Sequence, residues 1–71
     1  MENIFVLCIN NEYYETSLER RKIYKAIQND FIKKNGLIRV VDETGEDYLY
    51  PLEYFLRIEI PEETEKIFKE I

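Results

Sequence analysis

Ser17-Leu18-Glu19-Arg20-Arg21-Lys22-Ile23-Tyr24-Lys25-Ala26-Ile27-Gln28-Asn29-Asp30-Phe31-Ile32-Lys33-Lys34 is the stretch on which the fold turns, because it carries two patterns at once. As a helix it has Ile23, Ile27 and Phe31 recurring every four residues. Thr16 or Ser17 then serves as the cap, Thr16 and Glu19 stand at capping-box spacing, and Lys33-Lys34-Asn35-Gly36 forms the terminus. As a strand, Lys22 to Ile27 places Ile23 and Ile27 on one face with the stem of Lys25 between them. Gln28-Asn29-Asp30 then breaks the strand, and Asp30 to Lys34 makes only a short helical turn before Gly36. Periodicity alone leans slightly to the helix.

The flanking segments read more simply. Ile4-Phe5-Val6-Leu7-Cys8-Ile9 is a continuous apolar run of strand length, which suits a central strand covered on both faces. Asn10-Asn11-Glu12 ends it with turn-forming side chains. Leu37 to Asp42 and Tyr48 to Tyr50 flank Glu43-Thr44-Gly45-Glu46, where Gly45 takes positive φ without steric cost. This is a hairpin, and Pro51, which has no N–H for a ladder, ends its second arm or lies at an edge. Phe55 to Ile60 alternates, so Leu56, Ile58 and Ile60 are expected to point inward and Arg57 and Glu59 to face water. Pro61 is expected to open a short carboxy-terminal helix, with Glu62, Glu63 and Glu65 near its positive end and Thr64, Ile67, Phe68 and Ile71 as its packing face.

Gly36-Leu-Ile-Arg-Val-Val-Asp-Glu-Thr-Gly-Glu-Asp-Tyr-Leu-Tyr-Pro51 resembles a recurrent stretch in small bacterial single-domain proteins of about this length. The similarity extends over roughly residues 4–60, through the first strand ending in Cys8-Ile9, the segment Ser17-Leu18 to Lys22-Ile23-Tyr24, and Tyr54-Phe55. Those proteins look like Src-homology-3-like barrels without an assigned activity. They commonly carry Gly-Lys where this chain has Arg21-Lys22, and Pro where it has Gln28-Asn29-Asp30. The resemblance implies an all-β fold: a small five-stranded Src-homology-3-like barrel with the short terminal helix, and residues 23–27 as a strand. The alternative is α+β, with a helix at 17–34 on an antiparallel sheet.

Composition bounds what such a fold can do. Seventy-one residues make one domain, residues 1–71, without internal repeats or a linker. Cys8 is the single cysteine, so no intrachain disulfide forms. No basic stretch precedes the Ile4–Ile9 run, which is too short for a signal sequence or a span; a cytoplasmic location and no membrane partner are expected. Fifteen acidic against ten basic residues, with no His, give a net charge of −5 that opposes phosphate backbones and anionic membranes.

No catalytic constellation emerges. Cys8 lacks a His partner and sits within an apolar run, so it reads as a buried structural thiol. Asp42, Glu43, Glu46 and Asp47 cluster at the hairpin tip, but their spacing matches no calcium loop. There is no phosphate loop, triad or zinc-ligand pattern, so neither an enzyme nor a cofactor nor a metal site is expected. The distinctive feature is six tyrosines. Tyr48 and Tyr50, two apart on a strand, share a face, and Tyr13 and Tyr14 fall in a loop. Tyrosines favour binding surfaces, and aromatic grooves edged by acids take Pro-rich basic peptides. A protein-interaction module using Tyr13, Tyr14, Tyr48 and Tyr50, with Asp42, Glu43, Glu46 and Asp47 as an acidic rim, is therefore expected, its partner a protein or peptide. Nucleic-acid association through Arg20, Arg21, Lys22 and Lys25 is a rival reading, disfavoured by the overall charge. A structural accessory that pairs with itself along an edge strand is a third.

Overall fold

The computed structural model describes residues 2–61. Five strands form one antiparallel sheet: β1 (Glu2–Cys8), β2 (Ile23–Gln28), β3 (Leu37–Val41), β4 (Asp47–Pro51) and β5 (Phe55–Ile58), in the order β4-β3-β2-β1-β5. A five-residue helix, α1 (Asp30–Lys34), joins β2 to β3, and a 3-10 turn over Leu52–Tyr54 joins β4 to β5. The architecture is mostly β with little helix. Among the described residues no pairing joins the edge strands β4 and β5 to each other. The helix expected after Pro61 lies outside the described residues.

The ambiguous stretch resolves as strand, turn and short helix. β2 pairs with β1 from Glu2↔Gln28 to Leu7↔Ile23, and with β3 at Ala26↔Val40 and Ile27↔Arg39. The continuous helix over 17–34 does not form, and neither does its capping box. A separation of four is a multiple of two as well as about one helical turn, so Ile23 and Ile27 fit either period. Phe31, the third member of that series, is 77% exposed on α1. The buried members of β2 are Tyr24 and Ala26, while Ile23 and Ile27 flank exposed Lys25 on the opposite face. Asn29 caps α1, its Oδ1 accepting from Ile32 N–H at 2.8 Å. Gly36 follows with φ 70°, the left-handed conformation common after a helix.

Inward-facing side chains alternate along the other strands. Ile4, Val6 and Cys8 of β1 meet Ile38 and Val40 of β3, Tyr50 of β4 and Phe55 of β5, and Leu18 and Tyr54 close the cluster. The phase expected for β5 holds only in part: Arg57 and Glu59 are exposed and Ile58 and Ile60 half-buried, but Leu56 does not point into the core. Cys8 and Phe55 are opposite each other in the ladder and therefore share a face, so Phe55 is buried and Leu56 is 53% exposed. The hairpin of β3 and β4 is as expected: Gly45 has φ 83°, and Pro51 ends an edge strand.

Where β2 begins, two residues oppose one. Cys8 N–H donates to Lys22 O at 2.9 Å and Arg21 N–H donates to Cys8 O at 2.8 Å, while Arg21 has φ 69°. This is a bulge whose first residue is left-handed, a position that glycine normally fills. Arg21 therefore holds a conformation that a Cβ makes costly, by about 1–2 kcal/mol. Arg21→Gly is expected to stabilise the chain by about 0.5–1 kcal/mol, part of the relief being offset by greater freedom in the unfolded state. Thermal unfolding checks this; an unchanged or lowered midpoint contradicts it.

Candidate functional site

The segment between β1 and β2 is tied down by its own polar side chains. Asn10 Oδ1 accepts from Glu12 N–H at 2.9 Å, and Asn11 Nδ2 donates to Leu18 O at 3.0 Å. Tyr14 N–H closes a turn onto Asn11 O at 2.8 Å, which puts Tyr13 at its third position with φ 72°. Type II turns require that conformation, and they usually place Gly or Asn there. Tyr13 instead projects a ring that is 81% exposed.

From Tyr14, the next residue, aromatic side chains run into the fold as a connected series. The Tyr14 ring, half-buried, meets Tyr50 edge-on at 5.0 Å and Tyr54 at 6.0 Å between centroids. Tyr48 lies 5.2 Å from Tyr50 and is 57% exposed. Tyr14, Tyr48 and Tyr50, with Ser17 and Asp42, line a shallow depression of about 220 Å³. Tyr50 is not a contact ring of the kind expected: it is 1% exposed and forms the floor, because its strand turns it into the core. Tyr54 joins the series although its position before Phe55 gave no such signal. The 3-10 turn delivers its ring against Tyr14, and its hydroxyl donates to Glu12 O at 3.1 Å.

The acidic cluster at the hairpin tip divides into internal ties and exposed charge. Asp42 Oδ2 accepts from the Tyr50 hydroxyl at 2.6 Å, and Ser17 Oγ lies 2.9 Å from the same hydroxyl. Asp42 Oδ1 accepts from Thr44 N–H at 2.9 Å and from the Thr44 hydroxyl. Glu43 Oε1 accepts from Lys22 Nζ and from the Tyr24 hydroxyl at 2.8 Å, and Glu43 N–H donates to Ser17 O at 3.0 Å. Asp42 and Glu43 are therefore fasteners between hairpin and loop rather than rim. Glu46 and Asp47 remain exposed, Asp47 paired with Arg39 at 3.1 Å. Among the described residues no group of three potential metal-ligating side chains comes together.

These contacts shift the proton affinities of their members. Burial opposes ionisation of Asp42, but the bonds from Thr44 and Tyr50 win and hold its carboxyl below the ordinary range. The hydrogen bonds from Lys22 and then Tyr24 do the same for Glu43. Desolvation, reinforced by Asp42, pushes the Tyr50 phenol up to about 12. Desolvation also raises Tyr24.

The basic candidates do not form one track. Lys22 is bound to Glu43, with its ammonium 5.7 Å from the Tyr24 ring centroid, and Lys25 projects from the far face of β2. Arg20 and Arg21 are exposed at the bulge. Cys8 is fully buried, its Sγ donates to Asn10 O at 3.2 Å, and burial raises its pKa, so it is a neutral thiol. No helix among the described residues is long and apolar enough to cross a membrane. Comparison with protein-family models, with curated proteins and with solved structures finds no match.

The carboxylate ties carry a pH signature. Asp42 and Glu43 have depressed affinities in the folded state, so their contribution is complete above the ordinary carboxylate pKa of about 4 and is lost as pH falls through the folded-state values. Tyr50 is the opposite case: its raised pKa contributes stability below about pH 10 that is lost as pH climbs toward about 12. Tyr50→Phe is expected to cost about 1–3 kcal/mol at neutral pH and to flatten the alkaline loss in part, the raised phenols of Tyr24 and Tyr54 and the buried Cys8 thiol supplying the remainder. Denaturant midpoints across pH check both; a variant with the parent's neutral midpoint and alkaline slope contradicts the assignment.

Proposed function

We propose that the chain is a small, non-enzymatic protein-interaction module that binds a basic, proline- or aliphatic-rich peptide across Tyr13, Tyr14 and Tyr48. The carrying observation is Tyr13, whose exposed ring gains nothing from burial and whose backbone is strained. A bulky residue in left-handed conformation costs about 1–3 kcal/mol, and such strain concentrates at binding and switch sites. The neighbouring depression supports the same reading, since it offers rigid aromatic walls that lose little entropy on contact. Glu12, Glu15 and Glu46, all exposed, would steer a cationic partner to it.

We further propose that the sheet is the open barrel of the Src-homology-3-like kind, in the bacterial family that the hairpin sequence resembles. The strand order, the long first loop and the 3-10 turn before β5 support this. So does Arg21, whose left-handed backbone suits the Gly of the family's Gly-Lys pair. Phosphate binding by Arg20, Arg21, Lys22 and Lys25 has less support, because Lys22 is engaged and Lys25 faces away.

Selection from a random peptide library followed by anisotropy titration tests the module. Basic peptides with Pro or aliphatic residues are expected to enrich. Tyr13→Gly, which relaxes the turn, and Tyr48→Ser are each expected to weaken binding at least about fivefold, the cost of losing an interface residue worth more than about 1 kcal/mol. No enrichment, or selected peptides that bind both variants as tightly as the parent, overturns the proposal.

A further inference from the structure

β4 is an edge strand: it pairs with β3 on one side, and among the described residues nothing pairs with it on the other. Which of its main-chain groups face that open side follows from the ladder. Asp42 N–H donates to Glu46 O at 3.0 Å at one end, and Leu52 N–H donates to Gly36 O at 2.9 Å at the other. In an antiparallel pair, hydrogen-bonded and non-hydrogen-bonded positions alternate. Val40↔Tyr48 and Ile38↔Tyr50 are therefore the bonded pairs, so the N–H and C=O of Asp47 and Leu49 point outward, as does the C=O of Pro51. Edge strands are normally blunted by charge, proline or a bulge. Pro51 withholds a donor at one end only, while Leu49, in the middle, presents both groups.

The side chains along this edge suit the ligand of the tyrosine surface. Tyr48 is 57% exposed, and Glu46 is exposed just beyond the strand. Resting on the peptide-binding reading above, we infer that the peptide adds to β4 as an antiparallel sixth strand of the sheet. Its residue opposite Leu49 exchanges both main-chain hydrogen bonds with that residue. Its residues opposite Tyr48 and Tyr50 turn their N–H groups away from β4 and their side chains toward the face that carries the two rings. Proline is tolerated where the N–H faces solvent, so proline or an aliphatic residue fits both positions and lies against the exposed Tyr48 ring. Running antiparallel, the peptide passes Glu46 carboxy-terminal to that contact, where arginine or lysine complements the charge. The ligand pattern is Pro-x-Pro-x-basic, and the first x must keep its N–H.

NMR titration of the whole chain with acetyl-Thr-Pro-Val-Pro-Thr-Arg amide tests it. Amide hydrogen exchange at Leu49 is expected to be fast in the free chain and at least about tenfold slower at saturation, while Tyr50, bonded within the ladder, is slow in both. N-methylation of the peptide valine removes the N–H offered to Leu49 O. It is expected to weaken binding at least about fivefold, the loss of one main-chain hydrogen bond. Glu46→Lys, at an exposed position, is expected to weaken binding at least about twofold at low salt. Absence of binding, or binding that leaves Leu49 exchange unchanged and is indifferent to N-methylation, overturns the inference. Library peptides that enrich and respond to Tyr13→Gly and Tyr48→Ser without protecting Leu49 overturn this inference alone and leave the interaction module standing.

Discussion

Two carboxylates at the tip of one hairpin hold the aromatic side of this molecule in place. Asp42 and Glu43 reach back to Tyr50, Tyr24, Lys22 and the Ser17 segment, all of which lie elsewhere in the chain. The connection from β1 to β2 has little regular structure, and a segment of that length without an anchor samples many conformations. Here Glu43 N–H to Ser17 O, the Tyr50 hydroxyl beside Ser17 Oγ and Asn11 to Leu18 O replace the missing ladder. The position of Tyr14, and with it the exposure of Tyr13, follows from that anchoring.

The same contacts explain how a chain this short keeps its fold. It lacks any disulfide, and a small domain buries a modest share of its surface. Tyr24, Tyr50 and Tyr54 supply core volume, yet each phenol must find a partner once buried. Tyr24 reaches Glu43 and Glu19 N–H, Tyr50 reaches Asp42 and Ser17, and Tyr54 reaches Glu12 O. Every one of those bonds joins separate elements, so the polar tips act as crosslinks while the rings act as core. Because carboxylates accept two of them, the fold is sensitive to pH at both ends of the scale.

Much of this was legible in the residues, for reasons that can be named. The apolar run at Ile4, the hairpin about Gly45 and the break at Gln28-Asn29-Asp30 each rest on local chemistry, and each formed where local chemistry placed it. What misled was phase. Ile23 and Ile27 satisfy helix and strand alike, and in the strand the outward phase won because Tyr24 and Ala26 pack inward. In β5 the alternation put Leu56 in the core, but pairing with Cys8 turns Phe55 inward and leaves Leu56 exposed. Register comes from the neighbouring strand, and a single segment does not contain it. Which tyrosines share a face was legible, but their depth was not. Tyr48 and Tyr50 share a face, yet one is floor and the other wall, and Asp42 and Glu43 look like exposed charge until their phenol partners are seen.

Strain and satisfaction divide the molecule into two regions with different physical characters. Near the loop, buried polar groups are paired and the cost is carried by backbone: Tyr13 and Arg21 both occupy left-handed conformations without the freedom of glycine. At Arg21 the reason lies within the fold, because the bulge opposite Cys8 requires that geometry whatever residue stands there. At Tyr13 the turn requires it too, but the turn gives no reason for an exposed aromatic ring. Beside α1 a cost of another kind falls on Gln28 Oε1, a buried side-chain acceptor without a hydrogen-bond partner. The first kind of cost suits a rigid surface that meets its partner already in shape. A chain with so small a core has little stability to spare for either. That the cost at Tyr13 persists at an exposed ring is the physical support for the proposed recognition on the aromatic side of the molecule.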